Sequence, residues 1–303
     1  MTSAPLTRFA PAPTGLLHLG HVVNALYVWG LAQRLGAGVL LRIEDHDAQR
    51  SRPAFEAALL DDLDWLGFTP DRYPTASFRA GPCASRQSDR HRVYAAVAER
   101  LRASDLLYGC SCTRQEIAAR QAARPGGSLA YPGTCRSRGL PLDPGLTWRI
   151  RMEATAEPFV DLLQGPVAGG GPSRADDPAI RDRHGNWTYT FAVSVDDLDQ
   201  GVDLVIRGDD LRAATAGQIR LARMIGRLRP ARFAHHPILM KSPTRKLSKA
   251  DGDTGIRDLR RERWTAPRLI GHAAALAGLA PAGVDVPAAE AAALLAGVQL
   301  ASG

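Results

Sequence analysis

The chain has no long hydrophobic run: across 303 residues no stretch approaches about eighteen uninterrupted apolar positions, which excludes a membrane-spanning helix. Met1 to Arg8 has no charged head followed by an apolar core, so no secretory signal is expected there, and a cytoplasmic location is the default reading. No internal repeat is visible, which argues against a solenoid. Cysteine is scarce. The four present are Cys83, Cys110, Cys112 and Cys135, and in a reducing compartment they do not make a disulfide framework. Three of them fall within 26 positions, a clustering that favours a metal over structural bridges.

What remains is ordinary for a globular protein, with 45% apolar and 23% charged residues and enough length for one large domain or two smaller ones. The net charge of +7 suits a polyanionic partner such as RNA, through release of condensed counterions. The same charge spread over the surface would also simply confer solubility.

The first seventy residues alternate strand and helix. Leu6 to Ala10 is an extended run ending at the breaker Pro11–Gly15, and Val22 to Leu35 carries apolar residues at helical spacing and stops at Gly36. Val39 to Ile43 is an apolar strand followed by Glu44-Asp45-His46-Asp47, and Pro53 to Leu66 is a helix with Pro in its first turn and Gly67 beyond its end. This order predicts an α/β fold with a doubly wound parallel sheet. Asp89 to Ala103 reads as an amphipathic helix. Strands are expected at 146–152, 159–163 and 202–206, a long helix at 215–228, and a strand at Pro237 to Met240. The Ala-rich tail, broken by Gly278, Pro281 and Pro287, reads as short helices. The expected division is residues 1–240 as catalytic domain, including a 105–145 insertion, and 241–303 as a lysine-bearing loop with a short helical segment.

Two separated motifs carry the chemistry. His18-Leu19-Gly20-His21 lies where the first strand meets the first helix, and a helix N-terminus there offers unpaired N–H groups and a positive dipole end to phosphate. Gly20 permits close approach of a nucleotide, and His18 and His21, three apart, offer further N–H donors. Alone, such a pair is as well explained as two surface histidines. Far along the chain, Lys246-Leu247-Ser248-Lys249 places two lysines three apart, able to bracket a triphosphate as movable point charges. By itself that segment is only a solvated basic loop.

Together the two motifs resemble the paired HIGH and KMSKS signatures of class I aminoacyl-tRNA synthetases. Arg8 to Gly15, Arg42-Ile43-Glu44-Asp45, Arg86 to Arg90 with Tyr94, and Val205 to Leu211 are similar to the glutamyl and glutaminyl branch, over roughly residues 6 to 250. The resemblance implies a Rossmann-type catalytic domain and ATP, with Mg²⁺, as substrate. It implies glutamate contacts at Arg8, Phe9, Ala10, Pro11, Ala12, Glu44, Tyr189 and Arg207, with ATP held by His18, Gly20, His21 and Lys249, and catalysis by the two histidines with Lys246 and Lys249. Arg42 or Arg207 could instead pair with Glu44 only to satisfy the interior. Residues 186–195 alternate as a strand would, whereas the resemblance implies a helix from Tyr189, with Asp196 and Asp197 capping or lining the pocket; we take the helix. Val193 departs from the branch, which tends to carry Asn there.

Cys110-Ser111-Cys112 followed by Tyr131-Pro132-Gly133-Thr134-Cys135 supplies three thiols and no histidine, so buried thiols and a metal site both stay open on spacing alone. The same Cys-x-Cys and Tyr-x-x-x-Cys spacing is seen in this synthetase branch, which implies one structural Zn²⁺ per chain held by Cys110, Cys112, Tyr131 and Cys135. Cys83 reads as a small core or surface residue. With only 54 residues beyond Lys249, the chain is expected to lack an anticodon-binding region. That expectation, with Tyr131 to Arg136, is similar to the glutamyl-queuosine tRNA(Asp) synthetases. The resemblance implies tRNA-independent activation of glutamate, then transfer to the queuosine base of tRNA(Asp), whose anticodon stem-loop is the expected partner of a monomer. Rival readings are a short glutamyl-tRNA synthetase charging the terminal adenosine, and a non-catalytic zinc-stabilised RNA-binding paralogue. A small nucleotidyltransferase, which also carries H-x-G-H, is disfavoured by the Cys-x-Cys insertion.

Overall fold

The extended run at the start buries all four of its side chains as strand β1 (Leu6–Phe9). After the proline-rich turn the chain enters α1 (Leu19–Arg34), then returns as β2 (Gly38–Leu41), parallel to β1 in the register Leu6↔Gly38 to Phe9↔Leu41. Helix α2 (Pro53–Leu66) starts on its proline and is closed by Gly67 in the left-handed conformation (φ 81). Short α3 (Thr75–Arg79) and amphipathic α4 (His91–Ala103) follow. The computed structural model describes residues 4–123, 131–153, 155–168, 176–242, 245–246 and 255–301.

Next come β3 (Leu107–Cys110), α5 (Arg114–Ala122) and β4 (Thr147–Ile150), then β5 (Phe159–Asp161), β6 (Gly165–Val167) and β7 (Ala179–Arg181). Strands β3, β4 and β7 form their own antiparallel sheet, to which the cysteine segment is attached. Helix α6 (Tyr189–Asp199), strand β8 (Leu204–Gly208), helix α7 (Thr215–Met224) and strand β9 (Arg232–His236) complete the nucleotide-fold pattern. Strands β8, β9 and β5 run parallel with β6 antiparallel at the edge.

The β1–β2 ladder and the β8–β9–β5 ladder meet along one seam. The Asp203 N–H donates to the Leu6 carbonyl at 3.0 Å, and the Arg8 Nη1 donates to the Ile206 carbonyl at 3.0 Å. Past Leu6 a side chain, rather than a backbone ladder bond, joins the two strands. A cleft therefore opens at their carboxyl ends, the place where open α/β sheets bind ligands.

Two expectations about elements need amendment or explanation. The strand expected at Pro237 to Met240 lies earlier, at Arg232–His236; Pro237 has no N–H for a ladder, and two histidines mask the apolar signal of β9. The alternating segment from Asn186 does resolve into helix α6. Its residues Phe191 to Asp196 are all buried, so no polar face marks the helical period.

The chain ends in the hairpin of β10 (Met240–Ser242) and β11 (Arg245–Lys246), then α8 (Ile256–Arg261), α9 (Ala266–Leu276) and α10 (Ala291–Leu294). Helices α9 and α10 pack on the far side of α1, which is why α1 is apolar nearly all round. Leu26, Val28 and Leu31 share one core with Leu269, Ile270, Ala273 and Leu295. At the contact, a Cβ on Gly30 would stand 2.6 Å from Leu295 Cδ1 and 2.7 Å from the Ala291 carbonyl, so only glycine admits α10 this closely. Arg34 Nη1 fastens the junction on the Val298 carbonyl at 3.0 Å.

Candidate active site

A cavity of about 480 Å³ lies over the carboxyl ends of β1, β8 and β9. It is lined from β1 by Arg8 and Ala10, from the start of α1 by His18, Gly20, His21 and Asn24, and from the end of β2 by Glu44. Tyr189 opens α6 into it, and Arg207, Gly208 and His236 reach it from the ends of β8 and β9. Of the residues the sequence singled out, Arg8, Ala10, His18, Gly20, His21, Glu44, Tyr189 and Arg207 converge. Phe9 turns its ring into the core against Trp29, centroids 5.2 Å apart, and neither Pro11 nor Ala12 lines the cavity. Pro11 contributes its backbone carbonyl, which accepts from the Glu44 N–H at 3.1 Å. Lys246 ends β11, and Lys249 lies outside the described residues.

At the α1 end, His18 is the N-cap and the two histidines form a reciprocal box. His18 Nδ1 accepts from the Gly20 N–H at 3.1 Å, and His21 Nδ1 accepts from the His18 N–H at 3.2 Å. Both Nδ1 atoms being acceptors, the neutral rings carry their proton on Nε2, the tautomer that donates outward. A Cβ at position 20 would come within 2.9 Å of the His18 ring, so glycine there preserves the cap as well as access. Gly255 bridges His18, and the Ile256 N–H donates to the Leu17 carbonyl at 3.0 Å. The far end of the lysine segment is thus fastened to the histidine turn.

The wall opposite α6 was not legible in the sequence. His236 stacks on Tyr27, centroids 4.7 Å apart, and donates through Nδ1 to the Pro237 carbonyl at 2.9 Å. Its Nε2 lies 2.9 Å from the Asn24 amide, and burial lowers its pKa. The position of His236 at the carboxyl end of a sheet strand was the available clue.

The floor is a dense charge network. Arg42 is fully buried and reaches Asp197 at 2.6 Å, Glu44 at 3.4 Å and Asp196 at 4.0 Å. Burial alone would lower its pKa, but these carboxylates outweigh burial and raise it. Asp197 also takes Arg8 at 3.4 Å, so it lies under the site rather than in its lining. Asp196 is held by Arg90 Nε at 2.7 Å, Gln87 Nε2 at 2.8 Å and the Tyr94 hydroxyl at 2.9 Å, which explains why Gln87, Arg90 and Tyr94 are buried in a stretch otherwise exposed or half-buried. Burial raises the Glu44 carboxyl above its ordinary pKa, with Arg42 and Arg8 opposing. Burial lowers Arg207 and raises the Tyr189 hydroxyl. The cavity therefore presents two buried guanidinium groups and one carboxylate that gains from a cation. Such a set fits a zwitterion carrying an additional carboxylate.

The cysteine cluster is separate. The Sγ atoms of Cys110, Cys112 and Cys135 all lie within 4.8 Å of one another and all three residues are buried. Cys112 and Cys135 Sγ are 3.5 Å apart, and the Tyr131 hydroxyl is 3.2 Å from Cys110 Sγ and 3.8 Å from Cys112 Sγ. Thiolates 2.3 Å from one tetrahedral ion stand about 3.8 Å apart, so the donor set fits a zinc-sized site. Burial pushes the Cys112 thiol up to about 11. In Cys135 burial is overcome by hydrogen bonds from the Ser111 backbone, Cys112 and Tyr131, which bring the thiol down to about 6. The Arg149 guanidinium stacks 3.6 Å from the Tyr131 ring centre. Cys83 is a buried core residue.

A family model for the catalytic domain of class I tRNA synthetases (E and Q) matches residues 6–292. The chain is similar to a glutamyl-Q tRNA(Asp) synthetase of Nitratidesulfovibrio vulgaris, 37% identical over 283 residues, covering 90% of this chain and 86% of that protein. A glutamate–tRNA ligase of Syntrophus aciditrophicus is 35% identical, over 91% of this chain and 58% of its own length. Among solved structures, the glutamate–tRNA synthetase of Elizabethkingia anophelis superposes with a TM-score of 0.73 at 30% identity, covering 90% of this chain and 61% of that one. The chain thus spans about three-fifths of the ligase and of the solved synthetase.

Proposed function

The chain belongs to the glutamate and glutamine branch of the class I tRNA synthetase catalytic domains, ligases of the aminoacyl-tRNA synthetase type, and on that premise we propose that it activates L-glutamate as glutamyl-adenylate without tRNA and transfers the glutamyl group to the queuosine base of tRNA(Asp). The observation that carries the activation step is the convergence of Arg8, Arg207, Glu44 and Tyr189 on one cavity with His18 and His21 across it. Arg207 and Arg8 receive the substrate's carboxylates and Glu44 receives its ammonium, whose arrival favours the ionised form that burial disfavours.

The substrate α-carboxylate attacks the α-phosphorus of ATP and pyrophosphate leaves. The protein's work is alignment and charge stabilisation. His18 and His21, held by the cap in their Nε2–H tautomers, donate to the phosphates. Lys246 and Lys249 bring positive charge from the loop. Lys249 is six positions before Gly255, itself bridged to His18, and six residues span at most about 20 Å. Mg²⁺ accompanies the ATP. One Zn²⁺ held by Cys110, Cys112, Tyr131 and Cys135 stiffens the 105–145 insertion and takes no part in the chemistry.

The choice of acceptor rests on the relatives that bear the glutamyl-Q tRNA(Asp) name and on the Tyr131–Cys135 cluster. The partner is then the anticodon stem-loop of tRNA(Asp), met in the cytoplasm by a monomer, and the basic surface suits an RNA ligand. The test is ATP–pyrophosphate exchange with each amino acid in the absence of RNA, followed by transfer of labelled glutamate to tRNA(Asp) with and without queuosine. Exchange with glutamate alone, and transfer only to the queuosine-bearing RNA, is expected. Transfer to tRNA(Glu), or to tRNA(Asp) lacking queuosine, would overturn the acceptor assignment.

A further inference from the structure

Behind the cavity three side chains from three strands stand in line. Asp161, at the end of β5, and His235, in β9, are both fully buried, and His235 Nδ1 meets Asp161 Oδ2 at 2.5 Å. On the other side of the ring, Arg207 Nε donates to His235 Nε2 at 3.0 Å. A guanidinium has donors only, so Nε2 must offer its lone pair and the imidazole proton must sit on Nδ1. Asp161 is the group that fixes that proton. It also accepts from the backbone N–H groups of Leu163, Gln164 and His235, which leave its carboxylate no freedom to turn.

The rest of Arg207 is gripped as tightly. Nη1 donates to Gln218 Oε1 and Nη2 to Thr215 Oγ1, both at 2.7 Å. Every direct partner here is neutral, and among the described residues no carboxylate forms an ion pair with Arg207. The contrast with Arg42, which is ringed by three acids, is chemical. Arg42 is neutralised by carboxylates in direct contact, whereas Arg207 has none in direct contact among the described residues and can take one from the substrate. A direct Asp–Arg pair would hold the guanidinium equally well but would quench it. Placing an imidazole between them transmits the orientation without the neutralisation.

Resting on the glutamate reading above, we propose that Asp161 and His235 are positioning residues that aim Arg207 while leaving its charge for the substrate, and that they set the preference for an acidic over an amide side chain. His235→Phe keeps a ring stacked beside Phe233 but removes the acceptor. His235→Gln returns a carbonyl acceptor at the height of Nε2.

The experiment is ATP–pyrophosphate exchange with glutamate and with glutamine. In His235→Phe the KM for glutamate is expected to rise roughly ten- to hundredfold, the range for losing a hydrogen bond to a charged group. The KM for ATP should stay level and kcat within about threefold, because the lost contact serves ground and transition states alike. The glutamate-to-glutamine ratio should fall, and His235→Gln should restore most of both. An unchanged glutamate KM in His235→Phe, or parallel loss in all constants with no rescue by Gln, would overturn the proposal. Nitrogen NMR of wild-type protein reads the same point without a variant, since an Nε2–H tautomer at His235 would also overturn it. If wild-type protein exchanges no pyrophosphate with glutamate, it is the functional reading that fails, and the tautomer measurement still decides the relay.

Discussion

Arg42 and Asp197 meet at 2.6 Å beneath the cavity, with the guanidinium wholly removed from water. Removing one partner of such a pair leaves the other buried and uncompensated, which costs about 3–5 kcal/mol. Arg42→Met is expected to destabilise the protein by that amount, measured as a lower denaturant midpoint at unchanged m-value. A loss under about 1 kcal/mol would mean that Arg8 alone compensates Asp197.

Glu44 gives a pH-dependent prediction. Burial raises its pKa above the ordinary 4.5, so the folded state binds that proton more tightly than the unfolded chain does. Ionisation therefore costs stability once the pH exceeds the folded-state value, and the cost is absent below 4.5, where both states are protonated. Glu44→Gln is expected to be more stable than wild type at pH 8, with the advantage vanishing under acid. Its KM for glutamate should rise at least about tenfold through loss of the ammonium's charged partner. Thermal melts at two pH values, set beside exchange kinetics, separate the two effects; a variant less stable at pH 8 would contradict the first.

Lys249→Ala is expected to lower the rate of pyrophosphate exchange by about 10²-fold or more, the scale for removing one charge-stabilising donor, with the melting temperature unchanged. Wild-type activity in this variant would remove the lysine loop from the chemistry.

Metal analysis is expected to find one zinc per chain, and Cys135→Ser should abolish it. Because the cysteine cluster lies outside the cavity lining, glutamate activation should survive while transfer to RNA declines. Equal loss of both would tie the cluster to the activation site.

The legible part of the fold was the part written in breakers and periodicity. Pro53 and Gly67 bound α2 at the residues the sequence marked, and Gly36 follows α1. The illegible part was built from side chains that look unremarkable in one dimension. Asp161, His235, Thr215 and Gln218 are separated by up to 74 positions and become a unit only when β5 and β9 lie side by side. Phe9 shows the opposite case, a residue the resemblance placed at the site whose ring lies in the core. It stands next to Arg8 in sequence, but successive strand residues face opposite sides, so one side chain enters the cleft and its neighbour the core.

The seating of Leu295 against Gly30 has a temporal consequence. The helix that carries His18 and His21 at its tip leaves the ribosome first, whereas Leu295, which clamps its back, follows 265 positions after Gly30. A nascent chain can form the nucleotide-fold strands yet still lack the wedge that holds this helix at its working angle. A chain cut short before α10 would hold every cavity-lining residue, yet its first helix would be backed by α9 alone.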